Sequence, residues 1–378
     1  MPEKIKICHI CDRITGTADG VFSHLLMLLN NIDKDRYEQI VIYQGGKVVE
    51  HELSKIGIKT FVVSGLNDRF SVNAIVKIFK ILSSENVNVI HAHLLKPYIL
   101  VGLLNIFLRK KFIFNYNGLF INSVYHNWIE RLVLRGFHLI IYLFTANNIV
   151  VVPSKASKYL LQMETRLFAK IEVYYNGYDN QTSDNPNIKI VEYLRTKKTN
   201  HFLVGIVSRL EGQKRVDLSL WILNELIQRN YRVFFVFLGD GPLEKEMKLF
   251  AKSLGVYNNC EFYGFVKNAK NYLKYFDAIL FASDWEGLPL TYWESMANSV
   301  PIISTDVGGA REILIENDCG IVYPRGDVEE GVKAIEILIK DEKLRIQLGE
   351  NGRRAVQTKY NLNSFKSFFE NLYRQLAM

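Results

Sequence analysis

The sequence predicts an α/β protein made of two successive doubly wound, Rossmann-like parallel-sheet domains facing each other across a cleft. Three observations carry that expectation. Short apolar runs alternate with amphipathic segments through roughly the first 180 residues. The alternation stops in a polar and basic stretch between Tyr178 and His201, then resumes. The 378 residues exceed what one ordinary core holds and suit two domains. Unbroken apolar strands separated by helices are the pattern of parallel sheets covered on both faces.

In the first half, KIKICHI reads as a buried strand and GVFSHLLMLLNNI as a helix. EQIVIY is a strand, VNAIVKIFKILSSE a helix, VNVIHAH a strand, KPYILVGLLNIFLR a helix, and KFIFNY and NIVVVPS are strands. The stretch from Phe137 to Pro153 is the most apolar, but Thr145, Asn147 and Asn148 interrupt it. It is too short and too polar for a membrane span and reads as a helix end followed by a strand. DNQTSDNPNIK and VEYLRTKKTNH then read as a loop and a basic linker. In the second half FLVGIVS, YRVFFVFLG, CEFYGF, AILFAS, PIISTDV and GIVYP are strands. RVDLSLWILNELIQR, LEKEMKLFAKSLG, NAKNYLKYF and three segments at the end of the chain are helices. The expected domains are 1–180, 200–358 and a closing helix over 359–378. Two such halves make the cleft between them the default ligand site.

Hydrophobic residues are 48% and charged residues 23%, as in ordinary globular proteins. The net charge of +8 favours an acidic partner without choosing one. The basic residues are spread along the chain and no recognition module is present, which argues against nucleic acid. The N-terminus enters a strand pattern directly, with no secretory signal pattern. Four cysteines in so long a chain suit a reducing compartment, so the expected location is the cytoplasm. Cys8 and Cys11 have C-x-x-C spacing, but residues three apart on a strand face opposite ways and no second pair completes a zinc site.

Several turns could carry chemistry. Gly16 and Gly20 flank a loop that opens a helix, where free amides and the positive helix end can meet an anion. The dinucleotide fingerprint is incomplete, which leaves an NAD site poorly supported. Arg209 and Lys214 follow a strand and precede a helix, a good place to hold a diphosphate. Gly239-Asp240-Gly241-Pro242 is another strand-to-helix turn, with Pro242 fitting a first helical position. In DWEGLPLTYWESMA the helix begins near Pro289 and Leu290, so amides from about Leu288 to Tyr292 lack helical partners. Glu286 lies in the preceding loop and Glu294 in the first turns of the helix. Off one common face, they fit poorly as an acid/base pair and better as separate acceptors for sugar or ribose hydroxyls.

The ordered set G-x-V-S-R-L-x-x-x-K, G-D-G-P, G-F-V, E-G-L-P-L-x-x-x-E and P-I-I-S-T-D-V-G-G resembles glycosyltransferase family 4, whose members are retaining, nucleotide-sugar-dependent enzymes with the GT-B fold. The resemblance is dense from about 203 to 325 and looser from 1 to 180. It implies that the closing helix over 359–378 crosses back to the N-terminal domain. It implies that Arg209 and Lys214 hold the donor diphosphate and stabilise the leaving phosphate. It implies that Glu286 binds donor-sugar hydroxyls and Glu294 the ribose. Gly287, Leu288, Pro289 and Leu290 would touch sugar and phosphate, Phe265 and Val266 would lie by the base, and Gly20 would approach the diphosphate. The expected donor is a nucleotide-diphosphate sugar, with a UDP-sugar ranked ahead of a GDP-sugar. No metal and no other cofactor is expected, because cations and helix ends can stabilise the leaving charge. Asp33-Lys34-Asp35 spells the D-x-D of a different glycosyltransferase fold but sits in a helix-to-strand turn.

The family usually places a histidine before glycine after the strand KFIFNYNGLF; here Asn117 precedes Gly118. Asparagine exchanges hydrogen bonds but is no base. The departing phosphate can itself take the acceptor proton, so Asn117 is kept as a candidate beside the reacting sugar. His91 and His93 end a strand nearby and are either acceptor-side polar contacts or strand-end structure. The acceptor expected in the first domain is a glycan or a lipid-linked glycan, as in capsule, O-antigen or lipopolysaccharide assembly. Segments 105–114 and 122–144 mix apolar, aromatic and basic residues. They read either as a contact with an anionic bilayer, which would place the chain on the inner face of the cytoplasmic membrane, or as helices covering a sheet. A sugar-nucleotide epimerase or hydrolase of the same fold, and a non-catalytic glycosyltransferase-like subunit, are the rival readings.

Overall fold

The computed structural model describes residues 4–12, 20–66, 71–116, 127–144, 148–165, 170–178 and 185–377. The chain divides into two compact units, Met1–Gly177 with Leu362–Met378, and Tyr178–Asn361.

The first unit alternates β1 (Ile5–Cys11), α1 (Gly20–Asn31), β2 (Tyr37–Tyr43), α2 (Lys47–Lys55), β3 (Lys59–Val62), α3 (Val72–Ser84), β4 (Val89–His93), α4 (Leu95–Leu108), β5 (Lys111–Asn115), α5 (Trp128–Phe144), β6 (Asn148–Val152), α6 (Lys155–Thr165) and β7 (Lys170–Val173). Its seven strands pair in the order β3-β2-β1-β4-β5-β6-β7, all parallel. The order reverses between β1 and β4, the switch point of a doubly wound sheet. One face buries Cys8, Ile10, Ile90 and Phe112 beneath α3 and α4. The other buries Ile7, Val89, Ile113 and Val151. Cys8 and Cys11 fall in separate apolar clusters.

The second unit runs α7 (Ile188–Asn200), β8 (Phe202–Val207), α8 (Val216–Gln228), β9 (Val233–Leu238), α9 (Glu244–Ser253), β10 (Cys260–Gly264), β11 (Ala278–Phe281), α10 (Leu290–Ala297), β12 (Ile302–Thr305), α11 (Ala310–Leu314), β13 (Gly320–Tyr323), α12 (Val328–Lys340) and α13 (Glu342–Thr358). Its six strands pair in the order β10-β9-β8-β11-β12-β13, again parallel, with the switch between β8 and β11. The core gathers Ile206, Leu223, Phe235, Phe237, Leu280 and Ile335.

The chain then closes with α14 (Leu362–Ala377), which belongs to the first unit. Its Phe365, Phe369 and Tyr373 are buried beside Ile7, Leu28 and Val89. Each such ring contributes roughly 2–3 kcal/mol relative to exposure. Tyr37 donates from its hydroxyl to the Glu370 carbonyl at 2.9 Å, and the Asp33 amide donates to Glu370 Oε1 at 2.9 Å. Asp33 Oδ1 in turn accepts from the Asp35 amide at 2.8 Å, so the D-x-D stretch closes a turn on itself.

Several elements differ from the sequence reading. The boundary lies at Gly177/Tyr178, not in a linker reaching to residue 200. The basic stretch expected to be linker is α7, whose Asn187 Oδ1 caps the Lys189 amide at 3.0 Å. Ile190, Val191 and Leu194 form its buried stripe. Those three residues are the helical signal that the dense lysines obscure. NAKNYLKYF forms a 3-10 helix over Ala269–Tyr275 instead of an α-helix. The short β3 and β7 are edge strands with partial burial, so no continuous apolar run marks them. Their preceding helices α2 and α6, and the five-residue α11, were likewise passed over.

Candidate functional site

The chemistry-bearing residues of the second unit gather where β8 and β11 end, on either side of the switch point. Such crevices at the carboxyl ends of strands are where open α/β sheets take ligands. After β8 the chain turns through Arg209 into a 3-10 turn, Gly212–Lys214. Arg215 follows in the left-handed region, at φ 47°, and starts α8. The turn holds Lys214 against the loop after β11. Lys214 Nζ donates to Glu286 Oε1 at 2.5 Å, and Ser283 Oγ donates to the same oxygen at 2.7 Å. The Glu286 side chain is 8% exposed and that of Lys214 is 20% exposed. A charge-assisted pair this secluded is strong. Oε2 of Glu286 has no partner among the described residues and stays available to accept from a hydroxyl.

The loop carrying Glu286 is fixed from several sides. Gln213 Nε2 donates to the Trp285 carbonyl at 2.8 Å, and the Asp284 amide donates to the Gln213 carbonyl at 2.9 Å. Thr305 Oγ1 donates to the Ser283 carbonyl at 2.7 Å. Arg215 bonds Asp217 through Nε and Nη2 and Asp284 through Nη1 at 3.1 Å, so one guanidinium joins the start of α8 to this loop. These carboxylates raise the Arg215 pKa further above its ordinary value, the hydrogen bonds to Asp217 first. Gly308 sits at φ +53°, and a Cβ there would lie 2.4 Å from the carbonyl oxygens of Glu286 and Gly287. Only glycine lets that turn support the loop from below.

Arg209 is the more open cation. Its side chain is 56% exposed and its Nη2 pairs with Glu211 Oε1 at 2.8 Å. The turn that carries it packs on the G-D-G-P turn, where a Cβ on Gly239 would come within 2.0 Å of the Ser208 oxygen and one on Gly241 within 2.4 Å of the Leu210 oxygen. The Leu210 amide donates to the Asp240 carbonyl at 2.8 Å. The two motifs that looked independent in sequence are one packed unit.

Pro289 caps α10 in an extended conformation. The Tyr292 amide donates to the Pro289 carbonyl at 3.0 Å, which corrects the expectation that it is free. Leu290 and Thr291 are the amides that open the helix without intrahelical partners. Leu288 faces the core. Glu294 lies one turn on, partly buried, and its carboxylate has no hydrogen-bond partner among the described residues. Burial pushes its pKa up to about 7, with the Lys270 ammonium pulling it down.

Phe265, 55% exposed, and Val266 follow β10 and line a pocket of about 540 Å³ with Tyr263, Tyr272, Asn187 and Ile190. Lys214 and Glu286 do not line it. In the first unit Gly20 opens α1, exposed, with nothing among the described residues within 4 Å of where a Cβ would stand. Asn117, with Gly16 and Gly118, lies outside the described residues. His91 and His93 are fully buried and bonded within the sheet face under α14, the strand-end placement of the two that the sequence allowed.

Sequence reading missed Ser283, Gln213 and Arg215. Ser283 had a signal, the S-x-x-E spacing to Glu286. Gln213 had none, since Trp285 is 72 residues away, and nothing local ties Arg215 to Asp284, 69 residues away.

Residues 18–182 match the family described as Glycosyltransferase Family 4, and residues 194–355 match Glycosyl transferases group 1. Fold and motifs define a GT-B glycosyltransferase, and the chain belongs to the glycosyltransferase family 4 type. It is 23% identical over 255 residues to the capsular polysaccharide biosynthesis glycosyltransferase CapM of Staphylococcus aureus, covering 64% of this chain and 66% of that protein. It is 31% identical over 156 residues to a Campylobacter jejuni undecaprenol-linked-glycan α-1,4-N-acetyl-D-galactosaminyltransferase, covering 40% of this chain and 42% of that one. The matched stretches thus span about two thirds or less of these curated relatives. The crystal structure of Anabaena Alr3699/HepE in complex with UDP superposes with a TM-score of 0.81 at 18% identity, over 98% of this chain and all of that one.

Proposed function

We propose that this chain is a retaining glycosyltransferase that moves a sugar from a nucleotide-diphosphate donor to a glycan or lipid-linked acceptor in bacterial surface-polysaccharide assembly. The observation that carries the reading is the fixed Lys214–Glu286–Ser283 cluster at the ends of β8 and β11, with Arg209 and the Glu294 carboxylate, which has no hydrogen-bond partner among the described residues, in the same unit. Lys214 and Arg209 meet the diphosphate and the charge that develops on the leaving phosphate. Glu286 orients the donor sugar through its open oxygen, and Glu294 takes the ribose hydroxyls. Charge stabilisation of this kind needs no divalent ion. The relatives named above support the polysaccharide setting.

The test is thermal stabilisation by UDP-, GDP- and ADP-sugars without metal. A donor at 100 times its dissociation constant adds about 2.7 kcal/mol, a clear melting shift. The expected result is a shift with one donor, a UDP-sugar first, lost in Glu286→Ala. No shift with any of them, from protein that melts cooperatively, overturns the donor assignment. Product analysis separates transfer from hydrolysis or epimerisation: transfer needs acceptor and keeps the anomeric configuration.

Acceptor binding in the first unit would bring it to a membrane surface. On α5, Trp128 (74% exposed), Leu132 and Leu143 stand out beside the exposed Arg135, and Phe107 stands out beside Arg109 at the end of the adjoining α4. Apolar patches interleaved with cations suit an anionic interface. No helix among the described residues is long and apolar enough to cross a membrane. The chain is expected to co-sediment with anionic vesicles at low salt and to release as salt rises. Binding that is absent, or insensitive to salt, would leave these helices as sheet cover only.

A further inference from the structure

The face of the first sheet beneath α14 holds a cluster of imidazoles that the transfer chemistry does not use. His9 on β1 stands in register with His91 on β4, and His93 lies two residues on, so all three project from the same face. Each is fully buried. Each also has one ring nitrogen engaged with an outer partner. His9 Nε2 faces Gln39 Oε1 at 3.1 Å, His91 Nδ1 meets the Tyr373 hydroxyl of α14 at 2.9 Å, and His93 Nδ1 lies 3.5 Å from Asn115 Nδ2. The other three nitrogens, His9 Nδ1, His91 Nε2 and His93 Nε2, are left for one another. The ligand atoms of the trio lie within 4.8 Å of each other.

We propose that His9, His91 and His93 form a tri-imidazole site for a divalent transition metal of the zinc class, anchored to α14 through Tyr373. His91 Nε2 is buried with no hydrogen-bond partner among the described residues. Such an orphan costs about 1–3 kcal/mol unless something occupies the space it faces. Tetrahedral zinc with nitrogens at about 2.0–2.1 Å sets them roughly 3.3 Å apart. His9 Nδ1 and His93 Nε2 already stand 3.1 Å apart. The His9 ring lies 5.2 Å from His91 and 5.4 Å from His93, centre to centre, close to the spacing of imidazoles on a tetrahedral ion, while His91 and His93 stack at 4.3 Å and must open apart by about 1 Å as the ion enters. Imidazoles that hold a metal through one nitrogen and an oxygen partner through the other are the usual outer-shell design, and the Gln39 and Tyr373 contacts have that form.

Ligation takes neutral imidazoles, each with one lone pair turned to the ion. Loading moves the His93 proton from Nε2 to Nδ1 and turns the Asn115 amide so that its oxygen accepts, and the Tyr174 hydroxyl, which donates to Asn115 Oδ1 at 3.0 Å before the turn, rotates to accept from the amide nitrogen after it. His24, whose Nε2 lies 2.7 Å from Asn115 Nδ2 and whose Nδ1 lies 2.9 Å from Asn176 Oδ1, exchanges donor and acceptor in the same way. The rings keep their protons in number, and the fourth position falls to a water. The ion ties the two central strands to α14 and takes no part in donor chemistry. The H-x-H of β4 offers two ligands at successive positions of one strand face; the third comes from β1.

The test uses the full, untagged chain, equilibrated with zinc and then freed of excess. The expected result is about one zinc per chain by mass spectrometry, a raised melting temperature, and the visible bands of tetrahedral cobalt when Co²⁺ replaces zinc. His91→Phe, which keeps an aromatic ring against Phe369, should melt cooperatively and lose the ion and the bands. Wild-type protein that retains well under a tenth of an equivalent of zinc, nickel or cobalt overturns the proposal and leaves a water facing His91. Equal loading in His91→Phe also overturns it, by placing the ion elsewhere.

Discussion

Lys214→Ala is expected to lower turnover on the order of 10²-fold, with a smaller change in apparent donor affinity. The lost cation acts on charge that grows as the nucleoside diphosphate departs, so its removal falls mainly on the transition state. Glu286→Ala is expected to cost as much, by losing the orientation of the donor sugar. The two residues share one bond in the structure, Lys214 Nζ to Glu286 Oε1. Removing Lys214 leaves a secluded carboxylate with only Ser283 as partner, and removing Glu286 leaves the ammonium without its counter-charge. Each single variant should therefore melt below the wild type, and the double variant should melt above the sum of their losses. Steady-state kinetics and melting of the four proteins in the cycle check both statements. Near-normal turnover in Lys214→Ala would contradict the diphosphate assignment, whatever the melting data show.

Glu294→Gln is expected to separate stability from binding. The folded Glu294 carboxyl holds its proton up to about pH 7, because burial disfavours the charged form. The unfolded chain releases that proton near the ordinary carboxyl value, about 4.3. Between those two values the folded state binds more protons, so this group's contribution to stability is present below the lower value and lost as pH rises through the upper one. Glutamine removes the loss. Above pH 7 the variant should be the more stable protein, by on the order of 1 kcal/mol once solvent screening is allowed for, and near pH 4.5 the two should converge. Donor binding runs the other way. Ribose hydroxyls donate to the ionised carboxylate, so affinity is full above pH 7 and falls as pH drops through it, about tenfold per unit well below that value. Glu294→Gln should bind the nucleotide more weakly at pH 8 and show no such slope. Melting and isothermal titration across pH 5 to 8 measure both. A wild-type affinity flat across that range would remove Glu294 from the ribose contact.

The costs at Glu294 and around Glu286 have a common physical form. A site for a polar ligand keeps acceptors ready that the protein itself does not satisfy, and holds the loop bearing them by backbone contacts made elsewhere. Gly308, Gly239 and Gly241 serve that second purpose. Each lets a neighbouring carbonyl come closer than any Cβ would allow, which couples motifs that lie far apart in the chain.

The sequence by itself determined the two parallel α/β units, most strands and long helices, and the residue types of the proposed donor site. Those features are written in local periodicity: unbroken apolar runs for central strands, a 3.6-residue stripe for helices, and glycines where turns need them. The G-D-G-P and E-G-L-P stretches carry their motif in consecutive residues and could be read directly. What lacked a local signal was decided by tertiary structure. The edge strands β3 and β7 are too short and too exposed to show an apolar run, and α7 hides three buried residues among lysines. The return of α14 to the first unit, expected from the family resemblance and not from any local pattern, is made by aromatic burial against strands some 280 to 360 positions earlier. The pairing of Lys214 with Glu286, and of Arg215 with Asp284, spans about seventy residues, and the meeting of His9 with His91 and His93 spans more than eighty. Periodicity reports what a residue does within its own element. Which partner it meets depends on the order in which parallel strands are laid into a sheet, and that order is set by packing over the whole unit.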